Sequence, residues 1–567
     1  MKAYVISRAA NVFAHLSPLI LHWKERPDRR ACFSRFNAPL ALRIPHSAFC
    51  TRMYLKSIRS WFGRHKLLLA LLVLSAIPLM FLVEERVRGA ILLARYIRGL
   101  KAQGEKMDPH DFILPPAAGE NGAAEVLTAA NDLRPGTILP QSPPPRMKPT
   151  PAGRAVIGFR EEEWVEEKVT NKWEQLSLDL ADNEGTLTRI QRALAKPVLD
   201  CEFDPTLGAR ARFPHLSAPR TLTIWFGSRI ALGLHEGKTR ETLNDLLTEI
   251  EIPRLLARDG IAISELVRDA IAAIARTDTW EGLQADGWRD DDLAQIQQAW
   301  ERQQFFGPMV RALEGERIFD QSSYRLMRNS NQETVGVLFG LEEFMPQERT
   351  GWVQTLRDLP GVHAVEDFRK KEVYCRLWRF TWLDQDELRY LRYLEKLIAL
   401  GRDAARGKSL EKIQPLVDDL ALKFQNHGLY DRLRYPSVMS VYSLSRVLAR
   451  AMKAETERSL VVSAVALKRY TIRHGSLPRS LSELVPEFLA SEPVDYMDGH
   501  PLRFHLQPGG EFVLYSVGED GHDDNGDASL RPGKTNWRLI WDRRDVVWPG
   551  PATQAEVEAY HAESGKN

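Results

Sequence analysis

The sequence predicts a mainly α chain in three parts: an N-terminal transmembrane helix, an α-helical, solenoid-like central domain, and a small C-terminal α+β module with an antiparallel sheet. Three observations carry this. Residues Leu67–Val83 hold no charge, apolar residues recur at i, i+3 and i+4 between about 160 and 425, and two alternating runs flank Gln507–Gly510.

At 567 residues the chain is long for one domain, so two or three folded units are expected. The segments read as a basic region 1–66, an anchor 67–83, a juxtamembrane helix and Pro-rich linker 84–158, a helical domain 159–435, a long helix with the α+β module 436–550, and a tail 551–567. A net charge of +2 argues against a nucleic-acid partner for the whole chain. The cysteines, Cys32, Cys50, Cys201 and Cys375, form no CxxC pair, which leaves zinc and dithiol chemistry without support. Cys201 and Cys375 are either bridged or plain buried thiols.

The uncharged run LLLALLVLSAIPLMFLV would span roughly 25 Å as a helix, near the lower limit for a bilayer core. Pro78 is tolerable in a spanning helix. The other reading is a buried core helix, but charges frame the run sharply on both sides. Lys56, Arg59, Arg64 and Lys66 precede it; Arg86, Arg88, Arg95, Arg98 and Lys101 follow, partly offset by Glu84 and Glu85. Counting all basic residues before Leu67 favours an inside amino terminus and an exported body at the cytoplasmic membrane. No small-x-small site follows directly, so an uncleaved signal anchor is preferred to a cleaved signal peptide. Residues 1–52 are Arg-rich and acid-poor without periodicity. They read as a transit peptide or, preferably, as sequence upstream of a true start at Met53.

After the anchor, the proline-dense stretch 109–152, with three consecutive prolines at 143–145, reads as an extended or irregular linker, partly docked. Helices are then expected around Leu243–Ile250, broken at Pro253, around Ile263–Ile274, and around Leu388–Ile398, stopped at Gly401. Trp280, Trp288, Trp300, Trp378 and Trp382 either line a groove or anchor helix packing. GLHEGKTR at 233–240 lacks the first glycine of a phosphate loop, since Leu232 stands there, and reads as an interhelical turn. Asp384, Asp386 and Glu387 sit at an expected helix start, suited to capping and the helix dipole.

Near the end, a long helix is expected from Ser437 to His474, stopped by Gly475. A short serine-capped helix follows in SLSELVP, then a hairpin from PLRFHL and EFVLYSV, with NWRLIWD at 536–542 as a third strand. The pattern LKRYTIRHGSLPRSLSELVPEFL, then PVDYMDGHPLRF, then FVLYSVGEDGHDDNGD resembles the globular head of type II secretion major pseudopilins and related type IV pilin-like proteins. The resemblance covers about 455–530. It implies a helix packed on a small antiparallel sheet and a calcium-binding acidic loop. No Gly-Phe-Thr-Leu-x-Glu peptidase site precedes the apolar run, and Arg446, Arg450, Lys453, Glu455, Glu457 and Arg458 make the long helix too polar for a pilin stalk. ARYIRGLKAQGEKMDPHDFILPP, ISELVRDAIAAIARTDTWEGLQADGWRDDDL and DVVWPGPATQAEVEAY in turn resemble large uncharacterised membrane-anchored proteins of the Planctomycetes and Verrucomicrobia group.

The acidic loop supplies Asp520, Asp523, Asp524, Asn525 and Asp527 as candidate calcium ligands, with Gly521 and Gly526 allowing sharp turns. An EF-hand is excluded: with Gly526 at loop position six, Pro532 falls where the bidentate acid belongs. The other reading is a solvated turn built on Asx hydrogen bonds. The function expected is that of a non-enzymatic, single-pass envelope protein, a scaffold or interaction module. Its partners would be the lipid bilayer and other envelope proteins. The alternative is an envelope hydrolase with a site assembled from residues such as His235, Glu236, Asp384 and Glu387.

Overall fold

The computed structural model describes residues 66–108, 111–112, 118–151, 153–166, 169–339, 365, 367–425 and 428–564. The basic region 1–65, with the expected start at Met53, lies outside them. The chain is mainly helical with small sheets, as its periodicities predict.

The first helix, α1 (Lys66–Ala102), is 37 residues long and contains Pro78. Along Leu74–Val83 its large apolar side chains are exposed except Leu82, which packs on the core beneath; Leu74 is 68% exposed and Met80 71%. No helix of the described residues is long and apolar enough to cross a membrane. The side chains of Leu67–Leu69 and Leu71–Val73, in the same run, lie outside the described residues. From Leu82 onward one side of α1 is docked: Glu85, Leu93 and Leu100 are buried, and Leu93 packs with Leu388 and Leu391, while Val87 and Ile91 face outward.

The proline-dense stretch is not a linker. It contains α2 (Ala123–Asn131), whose Ala123, Val126 and Ala129 are buried together with Ile138 and Leu139. Prolines removed regular hydrogen bonding there, but side chains outside the helix replaced it. The Asp179 carboxylate accepts from the backbone N–H groups of Thr137, Ile138 and Leu139 at 2.8–3.0 Å, so buried irregular backbone is satisfied. β1 (Lys148–Pro149) and β2 (Arg154–Val156) follow, then the hairpin β3 (Glu163–Glu166) and β4 (Val169–Lys172).

The helical body comprises α3 (Trp173–Leu194), α4 (Ser217–His235), α5 (Leu243–Glu251), α6 (Ala262–Leu283), α7 (Asp290–Arg302), α8 (Phe306–Asn329), α9 (Asn331–Phe339), α10 (Cys375–Thr381), α11 (Leu383–Gly407), α12 (Leu410–Lys423), α13 (Leu429–Arg434) and α14 (Val438–Leu444). The expected break at Pro253 appears as a switch to a 3-10 turn over Ile252–Leu256. The stop expected at Gly401 does not occur; α11 runs on to Gly407 and ends on left-handed Lys408. A side chain at 401 would lie 3.1 Å from Val310 and 3.3 Å from Leu448, so Gly401 serves close helix packing instead of termination. The five tryptophans at 280, 288, 300, 378 and 382 are all buried. Cys201 and Cys375 are free thiols.

The long helix expected from Ser437 is two: α14 and, after a turn, α15 (Val447–His474), which ends on left-handed Gly475. α15 passes through two apolar cores. Val447, Leu448, Ala451 and Met452 pack with α8, α11 and α12; Leu460, Val461, Val465 and Leu467 pack with α6, α7 and the C-terminal sheet. Ser480 starts the short 3-10 helix Leu481–Leu484, but its side chain bonds Ser482 and does not cap the helix. β5 (Arg503–Leu506) and β6 (Phe512–Ser516) form the expected hairpin, with Phe504 opposite Leu514. The third strand is β7 (Val546–Val547), not 536–542. The earlier segment curls because the buried Arg543 guanidinium donates to the Trp537 carbonyl at 2.9 Å and to the Thr150 carbonyl at 3.1 Å, which an extended strand would not permit. β8 (Gly550–Pro551) pairs parallel to β2, and α16 (Gln554–Ser564) ends the described chain. Residues Pro78–Asn567 form one compact unit.

Candidate functional site

The acidic loop folds around two buried carboxylates outside the predicted ligand set. Asp545 accepts from the Gly526 N–H at 2.7 Å, and Asp495 from the Val517 N–H at 3.0 Å and the Ser516 hydroxyl at 2.9 Å. Burial pushes each of these carboxyls up to about 6 against the donors' opposing pull. Asp520 accepts from the His522 N–H, and Asp523 from the Asn525 N–H and the Tyr515 hydroxyl. Burial opposes ionisation of Asp523, but these bonds and Arg503 hold its carboxyl below the usual range. Arg544 lies 3.2 Å from Asp524 and 3.7 Å from Asp527, which also accepts from Ser529. Asn525 takes a left-handed turn at φ 59°. The geometry is a set of Asx turns closed by two arginines. Among the described residues no group of three or more His, Cys, Asp or Glu is placed to hold a metal ion.

The dispersed hydrolase candidates fall into separate settings. His235 Nδ1 lies 2.8 Å from the Phe159 carbonyl, and its ring stacks on Trp173. Glu236 pairs with Lys238. Asp384 and Glu387 both pair with Arg328, and Asp386 accepts from Tyr324 and Ser437 at 2.8 and 2.7 Å. Asp384 and Asp386 occupy the first turn of α11, as expected, and Glu387 follows it, but none caps the helix; the three bind α8 to α11. Burial pushes Asp386 up to about 7.

A cleft the sequence did not single out lies between α6, α15 and the C-terminal module. Its volume is about 540 Å³. Its walls are Trp280, Arg276, Glu457 and Lys453 on one side, and Leu539, Trp541 and Trp548 on the other. Arg276 pairs closely with Glu457, which also accepts from the Trp541 indole N–H at 2.5 Å; the Trp280 indole donates to the Pro549 carbonyl at 2.8 Å. Lys453 sits 5.1 Å from the Trp541 ring centre. Burial lowers Arg276 to about 10, opposed by Asp269. The walls offer aromatic surface and paired charge, with Thr277 and Asp542 also in the lining. Trp280 was legible as an aromatic of the helical region. Trp541 was not, because its segment reads as strand while Arg543 coils it, and Trp548 follows β7 at the end of the sheet.

Comparison of the chain with known protein families, with curated proteins and with solved structures finds no match to any of them.

Proposed function

We propose that this is a single-pass, membrane-anchored envelope protein whose body works outside the cytosol as a scaffold for other envelope proteins. The observation that carries the reading is the contrast along α1. Leu74, Ile77, Leu79, Met80, Phe81 and Val83 are exposed, whereas Glu85, only 2% exposed, is held by Gln385, Tyr430 and Arg434. An apolar helical surface of this kind is stable in hydrocarbon and unfavourable in water, at about 25 cal/mol per Å² left exposed. The excess of Arg and Lys before Leu67 supports an inside amino terminus. Packing of α15 on β5–β7 supports the pseudopilin-like reading of the C-terminal module. The Trp280–Trp541 cleft supplies the aromatic and arginine surface typical of protein contact sites.

Fractionation and cross-linking test the two halves separately. The intact chain is expected in membranes, resistant to carbonate and released by detergent, with its body digested by protease added outside. Recovery in the soluble fraction overturns the anchor. A photoreactive side chain at Leu539, on the rim of the cleft, is expected to give discrete adducts in cells, with none from exposed Leu178 on α3. Absence of adducts at Leu539 overturns the scaffold role and leaves the anchor standing.

A further inference from the structure

Where the apolar run ends, other parts of the chain present apolar side chains beside it. α10 is preceded by a π-helical turn, Arg369–Tyr374, and the combined segment exposes Phe368, Val373, Leu377 and Phe380. The wide π turn stretches the spacing from Phe368 to Val373 to five residues, and Leu377 and Phe380 continue at four and three. The opposite side of α10 is fixed to the body by buried Cys375, Trp378 and Thr381. α13 exposes Leu429, Tyr430 and Leu433, and Leu429 is 76% exposed.

Both elements are held at the level of Glu85 and Arg86, just past Val83. Arg86 donates to the Phe380 carbonyl at 2.8 Å and lies over the Phe380 ring at 4.9 Å. Tyr430 donates to Glu85 at 3.3 Å. Tyr374 and Trp378 donate to the Leu433 and Arg434 carbonyls at 3.1 and 2.9 Å, which joins α10 to α13. A side chain in place of Gly89 would lie 2.7 Å from Gln385, so α1 seats closely against α11 at this height.

From this we infer that α10 with its π turn and α13 form a collar that lies in the interface of the bilayer that α1 enters. The inference rests on the anchor reading of α1. Two features select a lipid surface as the occupant. The exposed side chains of both elements lie just past the exposed Leu79, Met80, Phe81 and Val83, with Phe380 under Arg86 and Tyr430 bonded to Glu85. The same segments are basic: residues 365–381 hold five Arg or Lys against three Asp or Glu, and α13 adds Arg432 against Asp431, while Arg434 turns inward to Glu85. Aliphatic and aromatic side chains on one side with flanking Arg and Lys suit acyl chains and phosphate headgroups together. Long basic side chains reach headgroups while their stems stay apolar.

The test uses the full chain in vesicles of phosphatidylcholine and phosphatidylglycerol whose acyl chains carry bromine. An environment-sensitive fluorescent amino acid is placed singly at Phe368, Leu429, Leu79 or Leu178. Bromine quenching at Phe368 and Leu429 is expected to exceed that at Leu178 by roughly threefold or more, and to approach that at Leu79. Quenching at Leu79 with none above the Leu178 level at Phe368 and Leu429 overturns the collar and keeps the anchor. Absence of quenching at Leu79 as well overturns both. Phe368→Asp and Leu429→Asp, at exposed positions that leave the buried side intact, are expected to abolish quenching of a reporter at Val373. Unchanged quenching in these variants overturns the collar.

Discussion

α1 and α15 are the two longest helices among the described residues, and the protein surrounds a long stretch of only one of them. In α15 the buried set from Val447 to Leu467 faces every direction, and α6, α7, α8 and β6 surround it. In α1 most large apolar side chains from Leu74 to Val83 are exposed, cover begins on one side at Leu82 and Glu85, and Val87 and Ile91 stay exposed on the other. A helix that is apolar all round belongs in a large core or in a bilayer. The residues themselves separate the two cases. α15 interleaves small and hydroxyl residues, such as Ala451, Thr456, Ser459 and Ser463, which let neighbours approach; the Ser463 hydroxyl returns its proton to the Ser459 carbonyl at 2.7 Å. The exposed part of α1 is mostly large aliphatic, and of its side chains Leu82 packs on the core.

The contrast is broken most severely by placing a charge in the covered helix. Val465→Lys puts an unpaired ammonium in a fully buried position and is expected to cost more than about 5 kcal/mol, seen as loss of the cooperative thermal transition in detergent. Next in size is the network that ties the chain just after α1 to the body. Arg317 is wholly buried and bridges Glu105 and Glu395, while Arg402 holds the Glu105 carboxyl down to about 2. Arg317→Met leaves two acids without their buried partner and is expected to lower stability by about 3–5 kcal/mol in denaturant titration.

A smaller, pH-dependent effect lies beside α15. Asp269 on α6 has both carboxylate oxygens buried without a hydrogen-bond partner; burial, then Glu265, pushes it up to about 7. The folded state therefore holds a proton that the unfolded chain releases near the ordinary value of about 4. Between those limits the native state binds more protons, so Asp269 lowers stability as pH rises from about 4 to about 7. Asp269→Asn is expected to raise stability by about 2–4 kcal/mol at pH values above that window, to leave it nearly unchanged below it, and to flatten the melting temperature across it. A wild-type melting temperature no lower above the window than below it, and unmoved by the substitution, would contradict this account.

The smallest effect on folding sharpens the comparison from the other side. Met80→Lys changes an exposed position of α1 and is expected to shift the body's stability by less than about 0.5 kcal/mol. The same change makes insertion less favourable by about 3 kcal/mol on the insertion scale, and the membrane-bound fraction should fall visibly. A large loss of stability with unchanged membrane retention would mean that α1 is a core helix after all.

Much of this architecture is written locally. The helix at Ile263–Ile274, the break at Pro253, the stop at Gly475 and the hairpin around Gln507–Gly510 follow from periodicity and backbone preference and appear where those rules place them, but packing turned the face of that helix: Ile263 is exposed and Ser264, Glu265 and Arg268 are buried. Tertiary contacts decided the rest. Asp179 turned a proline-dense stretch into core, Gly401 became a packing contact where a stop was expected, and Arg543 coiled a segment that alternates like a strand. Asp384 and Glu387 serve Arg328 and not the helix end, and the acidic loop is organised by Asp495 and Asp545 from outside it. The sequence alone determined which segments are helical and which surfaces are apolar, because those depend on neighbours three or four residues away. Which apolar surface receives cover, and which charge finds a partner hundreds of residues distant, depends on a lowering of free energy that exists only once the chain has packed.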